Sequence, residues 1–123
     1  MIDIKSIVGK ELLFVGGDLS GIQKFLYNIT SKKAAVSLKG RSAYIENIIN
    51  DACLKIKQLP QVQEGIVHDV YSSGGKFYII TSNTENVRAA IDNAALNIES
   101  DLWKEHHGQL SIDICTHVNH IYY

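Results

Sequence analysis

The stretch Leu12-Leu13-Phe14-Val15-Gly16-Gly17-Asp18-Leu19-Ser20-Gly21-Ile22-Gln23-Lys24-Phe25-Leu26-Tyr27-Asn28-Ile29 changes its hydrophobic period halfway along. Leu12 to Val15 is a short, continuous apolar run, the pattern of a buried strand, and Gly16-Gly17 ends it. Beyond Asp18, the residues Ile22, Phe25, Leu26 and Ile29 recur at i, i+3, i+4 and i+7, which puts them on one helical face. A strand that feeds directly into a helix is therefore the first unit, and the remaining elements are read outward from it.

Thr30 to Ser42 is polar and small, and Ile45, Ile48, Ile49, Ala52 and Ile56 then resume helical spacing up to Pro60. Ile66 to Tyr71 has the length and β-branched content of a strand, Gly74-Gly75 signals a turn, and Phe77 to Thr81 reads as the returning strand. Ser82 and Glu85 have capping-box spacing ahead of an apolar face from Val87 to Leu102, and Gly108 suits the end of that helix. Leu110, Ile112, Ile114, Thr116 and Val118 alternate with polar neighbours, as in a half-buried antiparallel strand. The order is that of an α+β, ferredoxin-like βαββαβ domain with an additional helix after the first, an antiparallel sheet carrying helices on one face. In this topology the third strand lies between the first and second, so these two run parallel and end on one rim. That rim is expected to bring Gly16 to Gly21 beside the hairpin tip Ser72 to Lys76.

With 123 residues, 46% of them hydrophobic, 20% charged and one proline, the chain has the composition of a single folded domain. Residues 1–10 read as an N-terminal extension and 11–123 as the domain. Cys53 and Cys115 lie outside any CxxC pattern and give neither a zinc site nor a disulfide framework. The N-terminus lacks the apolar stretch of a signal peptide, and no run approaches the roughly 18–20 apolar residues of a membrane span. A reducing, cytoplasmic setting without a membrane partner is expected. The formal net charge of −1 excludes a globally basic nucleic-acid binder but hides an asymmetry. Between Leu19 and Ile45 there are five cations (Lys24, Lys32, Lys33, Lys39 and Arg41) and no acid. Such a run is a solvated face or a contact for phosphate or RNA, with Lys32, Lys33 and Lys39 the weaker candidates.

A glycine-flanked turn entering a helix offers unpaired amides at the positive end of the helix dipole, which suits phosphate. Equally, Asp18 or Ser20 can cap the helix while the glycines permit a tight turn. Arg41-Ser42 at a helix start suits either an anion or an internal carboxylate. Two-metal phosphoryl or nucleotidyl transfer requires clustered carboxylates. The rim offers only Asp18, with Ser20 two residues on and Lys76 at the hairpin, so no metal or catalytic residue is assigned. His106, His107, His117 and His120 form no convergent ligand set. Lys76-Phe77-Tyr78-Ile79-Ile80 lacks the interleaved glycine and aromatics of an RNA-recognition module.

Three ordered strings carry a resemblance: Gly17-Asp18-Leu19-Ser20-Gly21-Ile22-Gln23-Lys24-Phe25, then Ser31-Lys32-Lys33-Ala34-Ala35 with Ser37-Leu38-Lys39-Gly40-Arg41-Ser42, then Tyr71-Ser72-Ser73-Gly74-Gly75-Lys76-Phe77. Over about residues 10 to 120 the chain resembles the first palm domain of the large subunit of type III CRISPR effector complexes, the III-A version most. In that family two palms, related to GGDEF cyclases, face each other and bind ATP, which is polymerised to cyclic oligoadenylate when target RNA is bound. The resemblance implies a degenerate palm that binds nucleotide, while an acidic GGDD hairpin on the second palm holds Mg or Mn. It implies a piece of a larger antiviral protein, inactive alone, with the second palm, other effector subunits, crRNA and target RNA as partners. The nucleotide-binding residues it points to are Gly17, Asp18, Leu19, Ser20, Gly21, Gln23, Lys24, Arg41, Ser72, Ser73, Gly74, Gly75 and Lys76. A self-sufficient homodimeric cyclase and a structural or RNA-contacting module without nucleotide stay open as alternatives.

Overall fold

The computed structural model describes residues 9–27 and 34–120, the side chains of residues 27 and 34–39 excepted. Expectations resting on residues 1–8, Asn28, Ile29, Lys32 and Lys33, and on the Lys39 side chain, lie outside what is described.

The elements are β1 (Glu11–Ser20), α1 (Ile22–Tyr27), α2 (Ala34–Lys57), α3 (Pro60–Gln63), β2 (Val67–Ser73), β3 (Lys76–Ser82), α4 (Glu85–Glu105) and β4 (Ser111–His120). The four strands form one sheet in the order β2-β3-β1-β4. Every neighbouring pair is antiparallel, so β1 and β2 run parallel and their C-terminal ends share a rim. This is the α+β, ferredoxin-like architecture that the periodicity predicts.

The period-2 pattern decides which residues face the helices. Leu13, Val15 and Leu19 of β1, Phe77 and Ile79 of β3, and Ile112 of β4 pack with Ile45, Ile49 and Ile56 of α2 and with Val87, Ile91 and Leu102 of α4 in one core. Each such side chain contributes about 1.5–3 kcal/mol by leaving water. On the opposite face Leu12 and Ile80 form a smaller buried cluster with Phe14 and Ile66 packed against it.

Several expected boundaries move, each for a physical reason. Gly16-Gly17 does not end β1, which continues to Ser20. Gly16 pairs with Tyr78 and Gly17 with Phe77. A Cβ on Gly17 would lie 1.9 Å from Phe77 Cε2, and one on Gly16 would lie 2.9 Å from Tyr78 Cε1. The glycines are strand positions over which cross-strand aromatic rings lie. The second helix starts at Ala34, well before Ile45, because Ala, Leu and Lys propagate a helix without a periodic apolar face. Thr84, not Ser82, caps α4: its hydroxyl accepts from the Val87 amide at 3.2 Å. Ser82 Oγ instead accepts from the Ile66 amide at 2.7 Å, closing the start of the β2–β3 hairpin. The short helix α3, with Pro60 at its first turn, has no apolar period to announce it. Gly108 does follow α4, with φ +79° and its amide bonded to the Trp103 carbonyl at 2.9 Å.

Candidate functional site

The shared rim joins the end of β1, the start of α1 and the β2–β3 turn. Gly74 (φ +62°) and Gly75 (φ +82°) are the two central residues of a tight hairpin, a conformation that a side chain resists. The Leu19 amide donates to the Gly75 carbonyl at 2.8 Å, and Asp18 is in register with Lys76. A Cβ on Gly75 would lie 2.4 Å from Ile22 Cδ1, so the turn also rests on the first residue of α1. The hairpin tip and the strand–helix junction thus meet as expected, in direct contact.

Within this rim the expected site residues divide in two. Gly17, Leu19 and Gly75 are buried and serve as its frame. Asp18, Ser20, Gly21, Gln23, Lys24, Ser72, Ser73, Gly74 and Lys76 are exposed along it. The backbone from Gly17 to Ser20 is in register with β3 or β4, or both, so its amides belong to the sheet rather than to an open loop. Free donors begin further on. The first helical bond of α1 runs from the Phe25 amide to the Gly21 carbonyl at 3.0 Å, which leaves the amides of Ile22, Gln23 and Lys24 as a first turn without partners among the described residues. Neither Asp18 nor Ser20 caps that turn among the described residues. Gly21 itself is obligatory: its φ is +90°, and a Cβ would sit 2.2 Å from the Gln109 carbonyl oxygen.

Arg41 is engaged differently from both sequence readings. Its Nη1 donates to the Phe25 carbonyl at 3.0 Å, and its guanidinium lies 4.8 Å from the Phe25 ring centroid. It therefore closes the end of α1 against α2, with no hydrogen bond or ion pair to the hairpin. Phe25 also stacks at 5.8 Å on Tyr44, whose hydroxyl pairs with His106 Nε2 at 2.9 Å. Burial, then the nearby Glu105 carboxylate, holds the Tyr44 phenol above its ordinary range. Ser72 Oγ donates to Asn50 Oδ1 of α2 at 3.1 Å, fixing the hairpin to the helix layer. Asp69, on the same strand, is paired to Lys57 at 2.9 Å, and the hydrogen bond between them raises the Lys57 pKa.

The register also brings to the rim a residue that sequence reasoning missed. Asp113 of β4 stands directly across from Asp18. Counting the alternation of β4 back from its pairing with β1 is the only signal that finds it. On β2 and β3, Tyr71 and Tyr78 extend the exposed sheet face, with ring centroids 6.1 Å apart.

The donor set does not fit a two-metal centre. Among the described residues no three His, Cys, Asp or Glu side chains converge, and the hairpin side of Asp18 carries the Lys76 ammonium. Nor, among the described residues, is any helix long and apolar enough to cross a membrane.

Comparison with known proteins places this geometry. The family described as Csm1 subunit domain B matches residues 11–119. A CRISPR system single-strand-specific deoxyribonuclease Cas10/Csm1 (subtype III-A) from Thermococcus onnurineus is 37% identical over 102 residues, covering 76% of this chain and 13% of the relative. The crystal structure of a Csm1–Csm4 cassette in complex with AMPPNP superimposes with a TM-score of 0.73 at 28% identity, over 89% of this chain and 15% of that one. The cassette in complex with cA4 gives the same values of 0.73 and 28%, again over 89% and 15%. The chain thus spans about a seventh of the proteins it matches. The antiparallel, palm-like fold is shared along nearly the whole of its length, and the chain belongs to the Csm1 subunit domain B family.

Proposed function

We propose that the chain is the ATP-binding half, without metal ligands, of a type III CRISPR cyclic oligoadenylate synthetase, residues 11–123 forming one palm within a larger multidomain subunit. The observation that carries this reading is the hairpin tip hydrogen-bonded onto the end of β1, with exposed polar groups on both sides and Lys76 where a metal site would need an acid. It is supported by the relatives crystallised with AMPPNP and cA4.

In this reading Gly21 and the first-turn amides of α1 receive phosphate, where the helix dipole favours negative charge, and Lys24 and Lys76 neutralise it from two sides. Gln23, Ser20, Ser72, Ser73 and Gly74 contact the ribose or base. Gly17, Leu19 and Gly75 hold the backbone of both walls in place, and Arg41 acts through the packing of α1. Lys32, Lys33 and Lys39 are secondary contacts for phosphate or RNA. A second palm supplies Mg or Mn and the acids that bind it, and Csm4, present in the solved cassettes, is the partner subunit expected to accompany it.

The test is calorimetry with ATP on the intact subunit carrying Ser73→Trp or Lys76→Glu. Both positions are exposed, so the fold tolerates the change. Loss of a charge-assisted phosphate contact is worth about 1.5–3 kcal/mol, an affinity loss of tenfold or more for Lys76→Glu. Unchanged ATP affinity and unchanged cyclic oligoadenylate synthesis in both variants overturn the site. ATP turnover by the isolated chain with magnesium would instead establish a self-sufficient cyclase.

A further inference from the structure

Away from the rim, the helix layer carries a trough of about 440 Å³ between α2 and α4. Its floor is apolar and follows helical spacing: Ile48 and Ala52 on α2 face Ile98 and Leu102 on α4, each pair one turn apart. Its walls are acidic. Asp51 borders the α2 row, and Asp101 and Glu105 border the α4 row. Lys55, the one cation lining it among the described residues, is paired to Asp51 at 3.0 Å, so the remaining charge is carried by Asp101 and Glu105. Glu105 accepts from the Tyr44 hydroxyl at 3.3 Å, whereas Asp101 has no hydrogen-bond or ion-pair partner among the described residues. From Tyr44 to Lys55 the trough runs about 16 Å along α2, roughly three helical turns.

We propose that this trough is a docking surface for a basic amphipathic helix of a partner protein. The floor accepts a row of apolar side chains at i, i+3, i+4 and i+7, and lysine or arginine at the flanks of that row meets Asp101 and Glu105 directly and competes with Lys55 for Asp51. A helical occupant fits better than an extended one, because the trough walls are helices whose backbone groups are already bonded and offer no edge for strand addition. The same acids repel the phosphates of RNA, which separates this surface from the cationic segment between Leu19 and Ile45.

The test uses the 123-residue chain and two labelled helical peptides of about 15 residues, one of leucine and lysine and one of leucine and glutamate, read by fluorescence anisotropy. The lysine peptide binds, and Asp51→Lys/Asp101→Lys weakens it about tenfold or more while enabling the glutamate peptide to bind. Circular dichroism checks that the variant is folded, and if it is not, the nearly isosteric Asp101→Asn must still weaken the lysine peptide. Chemical-shift perturbation on binding falls on Ile48 and Ile98. Equal affinity for the two peptides, lysine-peptide binding unaffected by these substitutions, or no binding of either peptide overturns the proposal.

Discussion

Gly17→Ala is the sharpest probe of the rim, because two explanations of that glycine give opposite results. The added methyl would sit 1.9 Å from Phe77 Cε2, 2.6 Å from Cδ2 and 2.7 Å from Cζ. Carbon atoms in contact rest about 3.5–4.0 Å apart, so the ring or the strand must move by roughly 1.5–2 Å. Phe77 has no room to give, being fully buried at 0% exposure among the side chains of α2 and α4. Overpacking of this kind costs about 1–3 kcal/mol, and the closeness of the contact places this case near the upper end. For a domain of this size that lowers Tm by roughly 10 °C. The assay is urea unfolding of four proteins: wild type, Gly17→Ala, Phe77→Leu and the double variant. In the Phe77→Leu background the smaller side chain leaves space, so the cost of the alanine falls to about 1 kcal/mol or less and the coupling carries the difference. An unchanged unfolding midpoint for Gly17→Ala, or the same cost in both backgrounds, refutes the argument. If the glycine served phosphate directly, the variant would keep its stability and lose ATP.

Other positions separate backbone strain from crowding and caps from ladders. Gly21→Ala combines φ +90° with a Cβ 2.2 Å from the Gln109 carbonyl oxygen, whereas Gly74→Ala has φ +62° with its Cβ at an ordinary 3.8 Å from the Tyr71 hydroxyl. Thermal unfolding is therefore expected to show a loss of about 1–2 kcal/mol for Gly74→Ala and clearly more for Gly21→Ala; equal losses would contradict the geometry. Thr84→Ala removes the α4 cap at a cost of about 1 kcal/mol, and helix-end amide exchange accelerates at Val87, which Ser82→Ala leaves unchanged. At pH 8 a disulfide reagent such as Ellman's reacts with the exposed Cys115, slowed by its hydrogen bond to Asp113, and reaches Cys53 only on unfolding, since burial pushes that thiol up. Because the folded-state Cys53 pKa is raised, its stabilising contribution is complete at neutral pH and is lost as pH climbs through the raised value; equal reactivity of the two thiols in the native protein contradicts this.

The sheet and its rim were legible from sequence because they depend on residue type at long, regular spacing. Val87, Ile91, Ala95 and Leu102 on α4, and Ile112 and Ile114 on β4, have no other face to bury. What was not legible depends on partners distant in sequence. Gly16-Gly17 reads locally as punctuation, and only the rings of Phe77 and Tyr78 across the ladder make it strand. Arg41 reads as a partner for an anion or for an internal carboxylate, and the end of α1 presents it with the Phe25 carbonyl. Asp113 is one of several polar residues in an alternating strand until the register sets it opposite Asp18. The trough between α2 and α4 was invisible for the same reason: Ile48, Ala52, Ile98 and Leu102 carry the periodic signal of each helix, but only the packing of the two helices sets them side by side.

The bond from the Leu19 amide to the Gly75 carbonyl, together with the wedge of Ile22 against Gly75, has a mechanical consequence. The two walls of the rim are tied to each other, so a movement of one is passed to the other. The side chain at position 22 then becomes the tuning screw for the hairpin: a smaller residue there loosens the packing under the tip while leaving the exposed side chains of the rim unchanged.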